Sequence, residues 1–182
     1  MYHIKREQFL KWMRASFDAI NAEIFNGELP SITINVENLK GTDFDAFYEA
    51  SQRVPRGPII LRIVIGLHNA YFEETDTILY PVILMAHEMI HLYCFLHNIK
   101  DTEPNGYHNE HFLQAAESHG MYCREWTPEI GFSDIRLDLN QIDRTLSHIP
   151  SETLDDILKN MTLVPDFPYQ LKEYRNIEPQ NG

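Results

Sequence analysis

The chain has 182 residues, 43% of them hydrophobic, which is enough to bury one sizeable core and short for two. Its formal net charge of −12 argues against a chain-wide attraction to DNA, which rests on Lys and Arg contacts to phosphate, and two cysteines exclude a disulfide framework. No apolar stretch reaches membrane-spanning length, and the opening Met1 to Glu7 lacks the apolar run of a signal peptide, so the default expectation is a cytoplasmic protein with no membrane partner.

Along the chain, Phe9, Leu10, Met13, Phe17, Ile20, Ile24 and Phe25 recur at three-to-four spacing and predict an amphipathic helix over residues 5–26, ended by Asn26-Gly27. Lys5, Arg6, Lys11 and Arg14 share that helix, and Arg53 and Arg56 flank a turn; solvated faces are the ordinary reading of such cations. Residues 31–36 alternate like a half-buried strand, residues 58–65 are β-branched like another, and residues 44–49 supply a third. A helix of about 20 residues follows, with Thr75 and Asp76 as cap candidates, Pro81 in its opening turn and apolar residues on nearly every side. Residues 98–106 are polar, with Pro104, Asn105 and Gly106, and read as a loop. A second helix spans 107–120, apolar at Phe112, Leu113, Ala115 and Ala116 and stopped by Gly120. Beyond it, residues 126–132 suggest a turn, 135–139 a short strand and 151–160 a short helix; residues 161–182 read as a tail or docking segment.

The first of these two helices carries His87-Glu88-Met89-Ile90-His91. Histidines at i and i+4 share one helical face, so two neutral imidazoles can close on one metal ion at roughly 2.0–2.1 Å. Glu88 beside them is the candidate general base for a water on that metal, and the cofactor expected is Zn²⁺. Such a site takes a third protein ligand. His97 completes the spacing HExxHxxxxxH, yet Cys94 stands where that pattern wants Gly, and on a continuous helix His97 lies about 240° round and 9 Å along from His91. Cys94 shares the histidine face but sits about 10 Å along the axis from His87, and reads as a small buried hydrophobe. After the loop, His108 or His111 is preferred for zinc, with Glu117 the choice in a gluzincin-like arrangement.

His87-Glu88-Met89-Ile90-His91, a loop, then Gly106-Tyr107-His108-Asn109-Glu110-His111-Phe112 resembles the SprT-like metalloproteases, and small bacterial and mobile-element forms most of all. Their pattern is HExxH, a spacer, and a Gly-His-type segment with Phe four residues after that His. The register of His108 with Phe112 makes His108 the third ligand by resemblance. Tyr107 separates Gly106 from His108, a departure from the immediate Gly-His pair, and with only Cys94 and Cys123 the zinc ribbon of longer relatives is absent.

The resemblance implies an α+β fold: an N-terminal helix, a short, mainly antiparallel sheet, the HExxH helix and a following ligand-bearing helix. Residues 1–140 would form the metallopeptidase domain and 141–182 an extension. The expected function is hydrolysis of a polypeptide substrate, with His87, His91 and His108 on the metal and Glu88 as base. Tyr107 and Tyr122 are the nearby candidates for an oxyanion donor, with packing as their default role. Two alternatives stand beside it: a non-catalytic module stapled by zinc, for which Glu88 has no use, and a DNA-associated protease acting on DNA–protein crosslinks, which the acidity and missing ribbon disfavour.

Overall fold

Apolar spacing in the N-terminal segment is satisfied by α1, Arg6–Glu23, which buries Phe9, Trp12, Met13, Phe17 and Ile20 along one face. Phe9 and Trp12 meet edge to face at 6.1 Å, and each large side chain withdrawn from water contributes roughly 1.5–3 kcal/mol. In this computed structural model, which describes residues 2–39, 45–52, 58–67, 71–72, 80–160 and 162–163, the chain continues past α1 through a turn with Asn26 and Gly27 at positive φ. Asn21 holds that turn, its side chain donating to the Leu29 carbonyl at 2.9 Å and accepting from the Leu29 N–H at 3.1 Å. The cations on the first helix are partly engaged: Arg6 donates twice to the Val36 carbonyl, and Lys11 pairs with Asp156 at the surface. The turn expected at Arg53 and Arg56, and the cap candidates Thr75 and Asp76, lie outside the described residues.

The central sheet comprises β2 (Thr33–Glu37), β3 (Ala46–Gln52) and β4 (Ile59–Gly66), in the spatial order β2-β4-β3. β4 runs parallel to β2 and antiparallel to β3. Its end, Ile63 to Gly66, is buried without alternation, as a strand paired on both sides and covered by helices requires. Short strands β1 (Tyr2–His3), β5 (Tyr71–Phe72) and β8 (Thr162–Leu163) form a second antiparallel set, with β1 in the middle. Of the five ladders among the described residues, only that between β2 and β4 is parallel.

α2, Tyr80–Leu96, crosses between α1, α3 (Glu110–Ser118) and β3, and buries Val82, Met85, Ala86, Met89, Ile90, Leu92 and Cys94. Its apolar surround explains why the sequence there shows almost no polar face. The hairpin of β6 (Tyr122–Thr127) and β7 (Gly131–Arg136) packs on α3, with β7 also touching α2. The strand expected over 135–139 ends at Arg136, because Asp138 instead caps α4 (Leu139–Ser147) in a reciprocal capping box with Gln141. α4 and α5 (Ser151–Asn160) both pack on α1, so the chain beyond residue 140 stays on the same core through α5, and Glu23 on α1 receives Arg144 and His148 from the α4 end. The result is an α+β fold with an N-terminal helix and a short sheet, as the patterning predicts. No helix among the described residues is long and apolar enough to cross a membrane.

Candidate metal centre

α2 presents His87 and His91 one turn apart, with ring centroids 5.0 Å from one another. The helix ends just beyond, where Asn98 takes a left-handed conformation (φ 55°) and the Ile99 N–H reaches back to the Cys94 carbonyl at 2.8 Å. The chain then reverses, and Asn109 fixes the return. Its side chain caps α3 by accepting from the His111 and Phe112 N–H groups, and donates to the Lys100 carbonyl and to Glu103.

His108 therefore stands just outside α3, in extended backbone, rather than in its first turn. It bridges two segments, Thr102 on one side and Gly131 on the other. Its N–H donates to the Ile130 carbonyl at 3.0 Å and its carbonyl accepts from the Phe132 N–H at 3.1 Å. Gly131 is essential to this approach: at φ +71°, a Cβ there would lie 2.0 Å from the His108 carbonyl oxygen.

The three rings converge through Nε2. His87 and His108 are 3.1 Å apart, His91 and His108 3.1 Å, and His91 and His87 3.2 Å. Both His91 and His108 face oxygen acceptors through Nδ1, the Asp101 carboxylate at 2.6 Å and the Ile130 carbonyl at 3.1 Å. The Nδ1 atoms must carry the protons, so in the neutral rings the Nε2 atoms are bare acceptors and cannot hydrogen-bond one another. His87 in turn hydrogen-bonds the Ser133 backbone. Edges of 3.1–3.2 Å are what three imidazole nitrogens sharing one ion at ordinary ligand distances would span. His87, His91 and His108 thus lie close enough to hold one metal ion.

Burial keeps His87 and His108 neutral. It holds His87 well below the ordinary imidazole range, reinforced by the neighbouring His91 and His108, and lowers His108 to about 4, again with help from His91. Neutral imidazole is the form that ligates. Phe112 is fully buried beneath all three rings, with centroids 4.6–4.9 Å away, and forms the apolar floor of the group.

Glu88 is 4% exposed, and burial pushes its carboxyl up to about 7 against the opposing pull of His91 and the Tyr48 backbone N–H on β3. Its Oε2 has no hydrogen-bond partner among the described residues.

The other candidates stand apart. The Cys94 thiol is buried in the core and pushed up to about 12. His97 pairs with Glu28, His111 meets the Lys100 carbonyl through Nδ1, and Glu117 is exposed. Tyr107 accepts from the Trp126 indole N–H and Tyr122 lies half-exposed on β6. Sequence reasoning missed Asp101, Gly131 and the hairpin carbonyls; an aspartate in a polar loop and a glycine forty residues from the motif carry no local signal of a ligand shell. Comparison with protein-family models, curated proteins and solved structures finds no match for this chain.

Proposed function

We propose that the protein is a zinc-dependent metallopeptidase of the SprT-like type, with His87, His91 and His108 as ligands and Glu88 as general base. The observation that supports this reading best is the pairing of a three-nitrogen group, to which no fourth described side chain adds a donor, with a buried carboxylate, Glu88, one of whose oxygens has no hydrogen-bond partner among the described residues. A purely structural site closes its fourth position with another side chain and has no use for such a carboxylate. Bound zinc would supply Lewis acidity, bringing the pKa of a coordinated water down to about 7 and polarising the scissile carbonyl.

The chain's own residues do the rest. Glu88 takes the proton of the attacking water on Oε2 and delivers it to the leaving amine, while the Tyr48 N–H fixes the carboxylate's orientation. Asp45 accepts from the Gly66 N–H, so odd-numbered residues of β3 pair with β4, and the even-numbered ones, Tyr48 and Ala50 among them, turn their backbone groups to the other edge. Among the described residues no strand pairs with that edge. An extended polypeptide added there as a further strand, through groups other than the Tyr48 N–H that holds Glu88, passes beside that carboxylate, which favours flexible chains as substrates.

The test compares wild type with Glu88→Gln on a broad library of unfolded polypeptides, with and without single-stranded DNA, while zinc content is measured on both. Cleavage by wild type, its loss in Glu88→Gln and equal zinc in the two are expected. Zinc-loaded wild type that cuts nothing in the library would leave a zinc-stapled binding module instead.

A further inference from the structure

Of the three histidines, two lean on backbone carbonyls and one leans on a charge: His91 Nδ1 lies 2.6 Å from Asp101 Oδ2, with the two side chains only 14% and 16% exposed. Among the described residues no cation pairs with that carboxylate. Lys100, the adjacent cation, pairs with Glu103, and the one other contact, from the Thr102 hydroxyl to Oδ1, is long at 3.4 Å. Asp101 also acts through its backbone, because its carbonyl accepts the Asn109 N–H at 3.1 Å. Asn109 is the residue that caps α3 and immediately follows His108. One residue thus braces the ring of the second ligand with its side chain and the strap of the third with its main chain.

We propose that Asp101 is the positioning residue of the metal centre, an outer carboxylate that fixes His91 as the Nδ1–H tautomer, strengthens its Nε2 as a donor and locks the 98–109 strap so that His108 closes the triangle. This rests on the metal-centre reading above and adds a residue that the HExxH pattern does not contain. The physical basis is general: a carboxylate hydrogen-bonded to the far nitrogen of a ligating imidazole orients the ring and raises its basicity, and removal of such a partner weakens metal binding about 10–100-fold.

The experiment measures zinc affinity by competition with a chromogenic chelator in wild type, Asp101→Ala, Asp101→Asn and Asp101→Glu, together with the visible spectrum of each protein saturated with Co²⁺. Asp101→Ala is expected to bind zinc about 10–100-fold more weakly than wild type. Asp101→Asn keeps an acceptor oxygen and loses the charge, so its affinity should fall between the two. Its cobalt bands should also shift at saturation, a change that a merely structural role, which alters how much protein is folded, does not produce. Asp101→Glu should recover part of the loss. Should Asp101→Ala fold poorly, the saturated spectrum of Asp101→Asn decides alone. Wild-type zinc affinity in Asp101→Ala, or an unaltered cobalt spectrum in Asp101→Asn, overturns the assignment while leaving the metal centre standing. Failure of wild type to bind zinc overturns both, and absence of peptide hydrolysis with the expected affinity series removes only the enzymatic reading.

Discussion

Replacing Gly131 with Ala would strike the metal centre without touching a ligand. A Cβ at this position sits 2.0 Å from the His108 carbonyl oxygen and 2.9 Å from its carbonyl carbon, whereas real Cβ contacts essentially never fall under 3.0 Å, so backbone must separate from backbone by at least 1 Å. Zinc–ligand distances tolerate about ±0.2 Å, and His108 is held by the very hydrogen bonds that such a movement stretches. Losing the His108–Ile130 and Phe132–His108 bonds costs about 1 kcal/mol each, and a non-glycine residue at positive φ adds about 1–2 kcal/mol, giving a loss of about 3–4 kcal/mol. Gly106 provides the control, since it too has positive φ but nothing lies within 4 Å of its Cβ position; Gly106→Ala should cost only the conformational part, about 1–2 kcal/mol. Urea unfolding of the metal-free proteins reads the stability, and chelator competition reads zinc. If Gly131→Ala matches Gly106→Ala in both, the hairpin does not position His108.

His87→Ala, His91→Ala and His108→Ala should each abolish stoichiometric zinc, while His97→Ala, His111→Ala and Cys94→Ala should retain it; metal analysis of the purified variants decides, and full zinc in His108→Ala with loss in His111→Ala would reassign the third ligand. Phe112→Ala removes a fully buried ring from beneath the three imidazoles and should cost about 3–5 kcal/mol in denaturant unfolding, with a weakened metal site. The metal-free protein should lose stability on acidification. Below the ordinary imidazole value of 6.5, the unfolded chain protonates His87 and His108 while the folded one resists. Glu88, near 7 when folded against an ordinary 4.5, opposes this with one proton held only by the folded state. The net is one extra proton on the unfolded chain, so stability should fall by about 1.4 kcal/mol per pH unit from 6.5 to 4.5, and a flat profile in urea titrations across that range would contradict the burial of these groups.

The pairing of His87 with His91 was legible in the sequence because their relation is local: helical periodicity alone puts the two imidazoles on one face. His108 was not separable from His111 by that logic. The choice turns on Asn109, which as the N-cap places His108 in extended backbone before the helix and aims His111 at the Lys100 carbonyl. The parallel register of β2 with β4 was equally invisible, since alternation in residues 31–36 and the apolar run 58–65 say nothing of direction. Around Trp126 the strand signal was blurred by the register shifts between Cys123, Glu125 and Thr127, which interrupt alternation along β6. At Leu137 to Leu139 alternation suggested a strand, and a capping box outweighed it. Asp101 and Gly131 had no signature at all, because each meets its partners across a turn of the chain rather than within one periodic element: His91 and Asn109 for Asp101, and His108 for Gly131.

The bracing of His108 by the β6–β7 turn also imposes an order on biosynthesis. While the ribosome has delivered only α2 and the strap, the nascent chain offers a two-histidine helix and a third imidazole braced on the strap side alone; the hairpin side arrives with Ile130, Phe132 and Ser133, more than twenty residues after His108 itself. Any product terminated before that hairpin would carry the whole HExxH-to-His108 pattern and still lack the hydrogen bonds that hold His108 in place. The motif and the backbone that positions His108 are thus encoded in different stretches of the polypeptide, and the second is translated later.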